Sequence, residues 1–254
     1  MSEITGNQII KYLPDEYKNI EITTYKIIDS TNREARDLAR AGSSLPLIVV
    51  SDSQTAGRGR LGRSFYSPAQ TGIYMSLTLG GFSAAEDALF VTSFAAVAVT
   101  DAIITLTGKN AGIKWVNDIY LDGRKICGIL AESQILKNDI AVTVGIGINV
   151  TTSEFPREIS GVAGALDTDV PRERLIAEIT KNLLDVCKNP ANPDIIKKYK
   201  NRSILLEKEI NYYINGEEKS AVVTDIDDKF GLVVRNENGS YITISSGEVT
   251  VRLK

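Results

Sequence analysis

The alternation of apolar and polar positions is sharpest over residues 139–150. Ile140, Val142, Val144, Ile146, Ile148 and Val150 fall on one face of a strand, and Ala141, Thr143, Gly145, Gly147 and Asn149 on the other. The first face belongs against a core. The second is nearly bare of side chains, which leaves room for something to lie flat on the sheet. Asn149, at its end, carries both a donor and an acceptor for an amide or a base edge. Further strand patterns cover residues 20–28, 47–51, 72–79, 113–121 and 124–130. Asp122-Gly123 separates the last two and is a two-residue hairpin signal. Such a hairpin sets Tyr120 opposite Lys125 and Asp118 opposite Cys127, with Asp118 and Lys125 on one face.

Helical periodicity fills the intervals. Residues 7–12 form a short helix ended by Leu13-Pro14, and Thr31-x-x-Glu34 reads as a capping box opening a helix that Gly42 closes. Ser30, just outside that cap, keeps a hydroxyl for a ligand. Ser83-x-x-Glu86 is a second box, heading a long helix to about Gly108 whose wide apolar surface makes it the main core helix. Its greasiest part, residues 90–106, is interrupted by Thr92, Thr100 and Asp101, which marks a buried helix and not a membrane span. Residues 151–170 are irregular, a loop expected over the bare face. Pro171 then starts a helix to about Lys188, and Asn189-Pro190-Ala191-Asn192-Pro193 separates it from a short charged helix to about Lys200. From Ser203 short alternating runs are punctuated by Asn215-Gly216, Asp227-Asp228, Asn238-Gly239 and Ser246-Gly247, the texture of a small β-barrel or sandwich. The division expected is residues 1–202 and 203–254.

Composition narrows the chemistry. The 254-residue chain has a net charge of -3, which argues against a broad nucleic-acid-binding face. It has no histidine, which removes Ser-His-Asp and Cys-His catalysis and histidine-ligated zinc. Cys127 and Cys187 are too few for a disulfide framework, so a reducing cytoplasm fits, and residues 1–6 carry no signal-peptide pattern. Against this mildly acidic background, Gln54-Thr55-Ala56-Gly57-Arg58-Gly59-Arg60-Leu61-Gly62-Arg63-Ser64-Phe65 gathers three arginines among three glycines without one acidic residue. Glycine lets successive N–H groups turn into a concavity, and arginine forks match carboxylate and phosphate. The segment reads as an anion-binding loop. Asp118 and Lys125 are either a surface ion pair or, beside that loop, a metal-side ligand and an anion clamp.

Gly57-Arg58-Gly59-Arg60-Leu61-Gly62-Arg63, Lys114-Trp115-Val116-Asn117-Asp118, Gly123-Arg124-Lys125-Ile126-Cys127-Gly128 and Gly145-Ile146-Gly147-Ile148-Asn149, with Ser30-Thr31-Asn32 and Gln54, together resemble a biotin protein ligase from about residue 20 onward. The resemblance implies an α+β fold: a mixed β-sheet ligase domain of the class II aminoacyl-tRNA-synthetase-like kind, then an SH3-like barrel. It implies an enzyme that joins biotin to ATP as biotinyl-5′-AMP and passes biotin to a lysine of a biotin carboxyl carrier domain. Arg58, Arg60, Lys125 and Asp118 would be the catalytic groups. Biotin would lie against Ser30, Thr31, Gln54, Gly57, Arg58, Gly59, Arg60, Lys125 and Gly128. The nucleotide would meet Arg58, Arg60, Arg63, Lys114, Asn117, Asn149 and Arg252, with Mg²⁺ near Asp118. The family often has Pro where Val116 stands and Trp where Phe65 stands. Phe155 is the one aromatic near the place of its adenine cap. Fewer than thirty residues precede Ser30, too few for the helix-turn-helix domain of some members, so the expectation is an enzyme only, cytoplasmic, without DNA or membrane partners, and homodimeric as a family trait. Lipoate–protein ligase and a non-catalytic biotin sensor are the rival readings.

Overall fold

Seven strands form one mixed sheet because the chain alternates β-rich runs with helices long enough to cross it. The computed structural model describes residues 3–82, 87–137, 139–214, 217–245 and 250–253, with backbone only for 87–89, 214 and 250–253. In chain order the elements are α1 (Gly6–Ile10), β1 (Glu21–Tyr25), α2 (Thr31–Ala41), β2 (Leu47–Ser51), β3 (Gly72–Phe82), α3 (Asp87–Thr107), β4 (Gly112–Lys114), β5 (Asp118–Leu121), β6 (Arg124–Leu136), β7 (Asp139–Asn149), α4 (Arg172–Lys188) and α5 (Pro193–Arg202). The strands lie in the order β1-β2-β3-β7-β6-β5-β4, parallel only between β1 and β2. Long β3, β6 and β7 form its centre.

Each face of the sheet has its own cover. Val142, Val144, Ile146 and Ile148 of β7 join Ile48, Val50, Ile73, Met75 and Leu77 in the main core with α3 and α4. Stretch 90–107 of α3 is long and apolar enough to cross a membrane by length and composition alone. Here it is a core helix, with Val91, Phe94, Ala98, Val99 and Ile103 buried. On the opposite face α2 lays Ala35 and Ala39 over Leu47 and Val49. Gly42, at φ 100°, turns the chain out of α2.

The second unit has five antiparallel strands, β8 (Glu209–Ile214), β9 (Glu217–Ile226), β10 (Leu232–Asn236), β11 (Tyr241–Ile244) and β12 (Thr250–Leu253), in the order β11-β10-β9-β8-β12, in keeping with an SH3-like module. Its apolar residues Leu205, Ile210, Tyr212, Val223 and Leu232 are continuous with the main core. Phe230 is the joint: its ring stands edge-on to Phe90, Phe94 and Tyr199, and its carbonyl accepts the Trp115 indole N–H at 2.7 Å.

Several local expectations need correction. Residues 113–121 are not one strand. The chain turns at Trp115–Asn117, so that Lys114 pairs with Asp118, because the Trp115 indole is held by Phe230 and the Val116 carbonyl by the Tyr199 hydroxyl at 3.1 Å. Asp118 lies opposite Gly128, not Cys127, because one extra residue bulges from β6 while Tyr120 stays opposite Lys125. Thr31 is the first residue of α2 and Ser30 its cap, without a side-chain cap bond; Glu34 instead accepts from the Tyr25 hydroxyl at 2.6 Å. β1 stops at Tyr25, and Ile28 makes only an isolated bridge to Gln54. Pro171 is the cap before α4 and not its first residue. The Ser83–Glu86 box and the Asn215-Gly216 and Ser246-Gly247 turns lie outside the described residues.

Beneath the Gly/Arg loop sits a buried ion pair. Arg172, 2% exposed, sets its NH2 3.0 Å from Asp52 at the end of β2 and donates from NH1 to the Gly72 carbonyl at the start of β3. Replacing one partner strands the other charge in the interior, which typically costs about 3–5 kcal/mol. Urea unfolding of Arg172→Met should show a loss of that size. A midpoint unchanged from the parent would mean that the pair does not brace the loop.

Candidate active site

The Gly/Arg loop leaves β2 and returns to β3 as a small closed hairpin. Gly59 N–H donates to the Arg63 carbonyl at 2.7 Å and Phe65 N–H to the Gly57 carbonyl at 2.9 Å, with a 3-10 turn at Arg60–Gly62. These two donors are therefore spent within the loop, and it is not the open nest of N–H groups that its glycines suggest. Leu61 takes a left-handed φ of 56° at the tip and is exposed. Gly57 is needed for space: a Cβ there would lie 2.5 Å from the Phe65 carbonyl and 2.8 Å from Ser67 Oγ.

Phe65 is what lies on the bare strip of β7. A Cβ on Gly147 would be 2.5 Å from its ring and one on Gly128 3.3 Å, and its edge meets Tyr74 with centroids 6.4 Å apart. One step along the strip, a Cβ on Gly145 would be 2.1 Å from Asn32 Oδ1. The glycines thus admit a ring and an amide against the backbone.

Three positive groups surround this strip, each already engaged. Lys125 Nζ lies 2.7 Å from Asp118 Oδ1 and Arg58 NH1 3.4 Å from Glu132 Oε1. Arg60 NH1 donates to Asn117 Oδ1 at 3.1 Å. Burial pulls the Arg60 guanidinium below its usual pKa, and the nearby Asp118 carboxylate opposes that fall. The β6 bulge has a consequence here. Lys125 and Gly128, three residues apart, would face opposite ways on a regular strand; the extra residue brings both toward Asp118.

At the other end a polar network fills the base. Gln54 Oε1 accepts from Thr31 N–H at 2.9 Å and lies 3.2 Å from its hydroxyl, while Gln54 Nε2 donates to Ser67 Oγ at 3.0 Å. Ser76 Oγ donates to Asn32 Oδ1 at 2.6 Å and lies 2.9 Å from Thr31 Oγ1. Asn32 Nδ2 donates to Glu132 Oε2 at 3.1 Å. Ser30 is buried beside it.

Residues 24–149 match the Biotin/lipoate A/B protein ligase family. That stretch, 126 of the 254 residues, holds the whole Gly/Arg loop and the strands that flank it. Among relatives, it is 40% identical over 143 residues to the bifunctional ligase/repressor BirA of Bacillus spizizenii, an alignment spanning 55% of this chain and 44% of that protein. It is 29% identical over 234 residues to the biotin–[acetyl-CoA-carboxylase] ligase of Mycobacterium tuberculosis, covering 87% and 85% of the two chains. The biotin protein ligase of Aquifex aeolicus, solved with biotin and ATP, superposes with a TM-score of 0.79 at 26% identity, over 92% of this chain and 99% of that one. The chain spans about half the length of the Bacillus relative.

Within the matched stretch Thr31 and Gln54 share one network with Ser30 buried next to it; Arg60, Lys125, Asp118 and Asn117 gather at the Phe65 end, while Arg58 pairs with Glu132, which also holds Asn32. Gly59 lies within the loop hairpin. Asn149 donates from Nδ2 to the Gly164 carbonyl at 3.0 Å, while its buried Oδ1 has no hydrogen-bond partner among the described residues. Arg63 is exposed on the loop, and Lys114 Nζ sits 5.5 Å over the Tyr120 ring. The Arg252 side chain lies outside the described residues. Phe155 packs on Tyr66, joining the 151–170 loop to the Gly/Arg loop. Sequence reasoning missed Glu132, Ser67 and Ser76, polar residues within strand or loop text that carries no motif. It also missed the seat of Phe65, although the paired glycines of β7 were the signal. Gly147→Ala should displace the Phe65 ring and destabilise the fold by about 1–3 kcal/mol. Thermal melting checks it, and an unchanged melting temperature would mean that the ring does not rest there.

Proposed function

We propose that the chain is an ATP-dependent biotin ligase: it activates biotin as biotinyl-5′-AMP and transfers it to a lysine of a biotin carboxyl carrier domain. The observation that carries this reading is that Arg60 and Lys125 gather about Asp118 and Asn117 at one end of the bare β7 strip, with the Thr31–Gln54 network at the other and Arg58, from the same loop as Arg60, paired with Glu132. In the first step a biotin carboxylate oxygen bonds to the α-phosphorus of ATP and the bond to pyrophosphate breaks. Both reactants are anions, so their encounter is opposed until cations take up the charge, and cations that meet the pentavalent centre better than the ground state lower the barrier. In the second step the acceptor amine attacks the acyl carbon, the bond to AMP breaks and the amine sheds a proton, for which Asp118 is a base of suitable chemistry. Thr31 and Gln54 now bond to each other; a ureido ring would exchange those bonds for its own.

Mg²⁺ would arrive on the nucleotide. Among the described residues no three acidic or thiol groups gather to hold a resident metal, and Asp118 is the carboxylate that lies beside Lys125 and Arg60. Asn149, with its unpartnered Oδ1, suits an adenine amine. The carrier domain would dock along β6, whose outer edge is paired by β5 only as far as Gly128. Homodimerisation and a cytoplasmic location belong to the same proposal. Lipoate is the less favoured substrate, because its ring cannot use the amide and hydroxyl donors of the network.

Biotin-dependent exchange of pyrophosphate into ATP tests the reading directly. The protein should catalyse it, and Lys125→Gln should lower kcat by about 10²–10³-fold; exchange driven by lipoate and not by biotin would overturn the choice of substrate. Arg60→Gly should loosen the grip on the acyl-adenylate, so that labelled biotin appears on lysines of unrelated proteins. Labelling confined to the carrier domain in that variant would contradict the role given to Arg60.

A further inference from the structure

Glu132 belongs to no motif, yet its carboxylate lies where the two ends of the site meet. One oxygen faces two guanidinium groups, Arg36 NH1 at 3.2 Å and Arg58 NH1 at 3.4 Å, and the other accepts from Asn32 Nδ2 at 3.1 Å. The Asn32 amide is itself oriented, since its Oδ1 takes the Ser76 hydroxyl at 2.6 Å, and Ser76 also touches Thr31. Both carboxylate oxygens are therefore directed by neighbours, and the group is largely shielded, its side chain 19% exposed.

Arg58 is the opposite case. Its side chain is 52% exposed on a glycine-rich loop, and among the described residues its ion pair is with Glu132. A guanidinium offers five N–H donors in a planar fork, so one nitrogen can rest on a fixed carboxylate while the remaining donors face an incoming anion. Arg36 comes from α2 and lies lower in the same cluster, with a second contact to Gln134 Oε1 at 3.4 Å. It shares Glu132 Oε1 with Arg58, but from the helix and not from the loop.

Building on the ligase reading, we propose that Glu132 is a positioning residue for the adenylation step. It takes one edge of the Arg58 fork, aims the other edge at the reacting anions, and ties that aim through Asn32 to the Thr31 end of the site. It does not touch substrate; its effect passes through Arg58. Glu132→Gln keeps the shape but puts an NH₂ group or a neutral oxygen against two cations, so Arg58 swings free while the backbone of β6 is unaltered.

A double-mutant cycle on kcat/KM for biotin in the pyrophosphate exchange assay decides the matter. Glu132→Gln and Arg58→Met should each lower it by about tenfold, and the double variant should fall no further than either single one. Arg36→Met should cost less than either. Losses that multiply in the double variant would overturn the proposal and leave Glu132 a structural residue, as would an Arg36→Met loss equal to that of Glu132→Gln. Melting curves check that each variant folds; if Glu132→Gln does not, Glu132→Asp, which withdraws the carboxylate by one methylene, takes its place in the cycle with the same expectation. Absence of biotin-dependent exchange in the unsubstituted protein would remove the ligase reading and this role with it, whereas robust exchange with multiplying losses removes this role alone.

Discussion

Positive charge confined to a small space has to be answered, and that constraint shapes the whole site. Arg58 and Arg60 stand on one loop and Lys125 on the neighbouring β6, and each leans on a fixed group: Glu132, Asn117 and Asp118. Without those partners the cations would repel one another and draw the loop into solvent. With them, the loop can fold back over the sheet as a closed hairpin before any ligand arrives. On the proposed ligase reading an incoming anion would meet groups already gathered and have only to compete for part of their bonding capacity, which is what preorganisation means in electrostatic terms.

The sheet supplies the rigid half of this arrangement. β7 divides its labour by face: branched aliphatic side chains hold it to α3, while Gly145 and Gly147 clear the other side for an amide and an aromatic ring. The same strand that anchors the core therefore sets the floor of the site. Errors in packing on one side would be felt as displaced contacts on the other.

Much of this was legible from residue order. The faces of β7, the Gly42 stop of α2 and the gathering of positive charge on the Gly/Arg loop follow from periodicity and side-chain chemistry alone. What was not legible depended on partners distant in sequence. The break at Trp115–Asn117 is dictated by Phe230 and Tyr199, more than eighty residues away by position. The bulge that shifts Asp118 onto Gly128 is a one-residue change of register, invisible to an alternation that reads the same on either side of it. The local spacing of Thr31 fits an end-cap. Its hydroxyl is instead drawn inward by Ser76 and Gln54, a competition no local pattern records. Glu132 offered no signal, since one carboxylate within a β-rich run looks like any solvent-facing charge.

The indole bond from Trp115 to the Phe230 carbonyl makes the smaller unit a stakeholder in the chemistry of the larger one. The bend that presents Asn117 and Asp118 is gripped from behind by Phe230, in the turn between β9 and β10, and the same ring packs on Phe90, Phe94 and Tyr199. Truncating the chain after α5 would leave the larger sheet and its Gly/Arg loop in place and deprive the bend at Trp115–Asn117 of the wall that holds it.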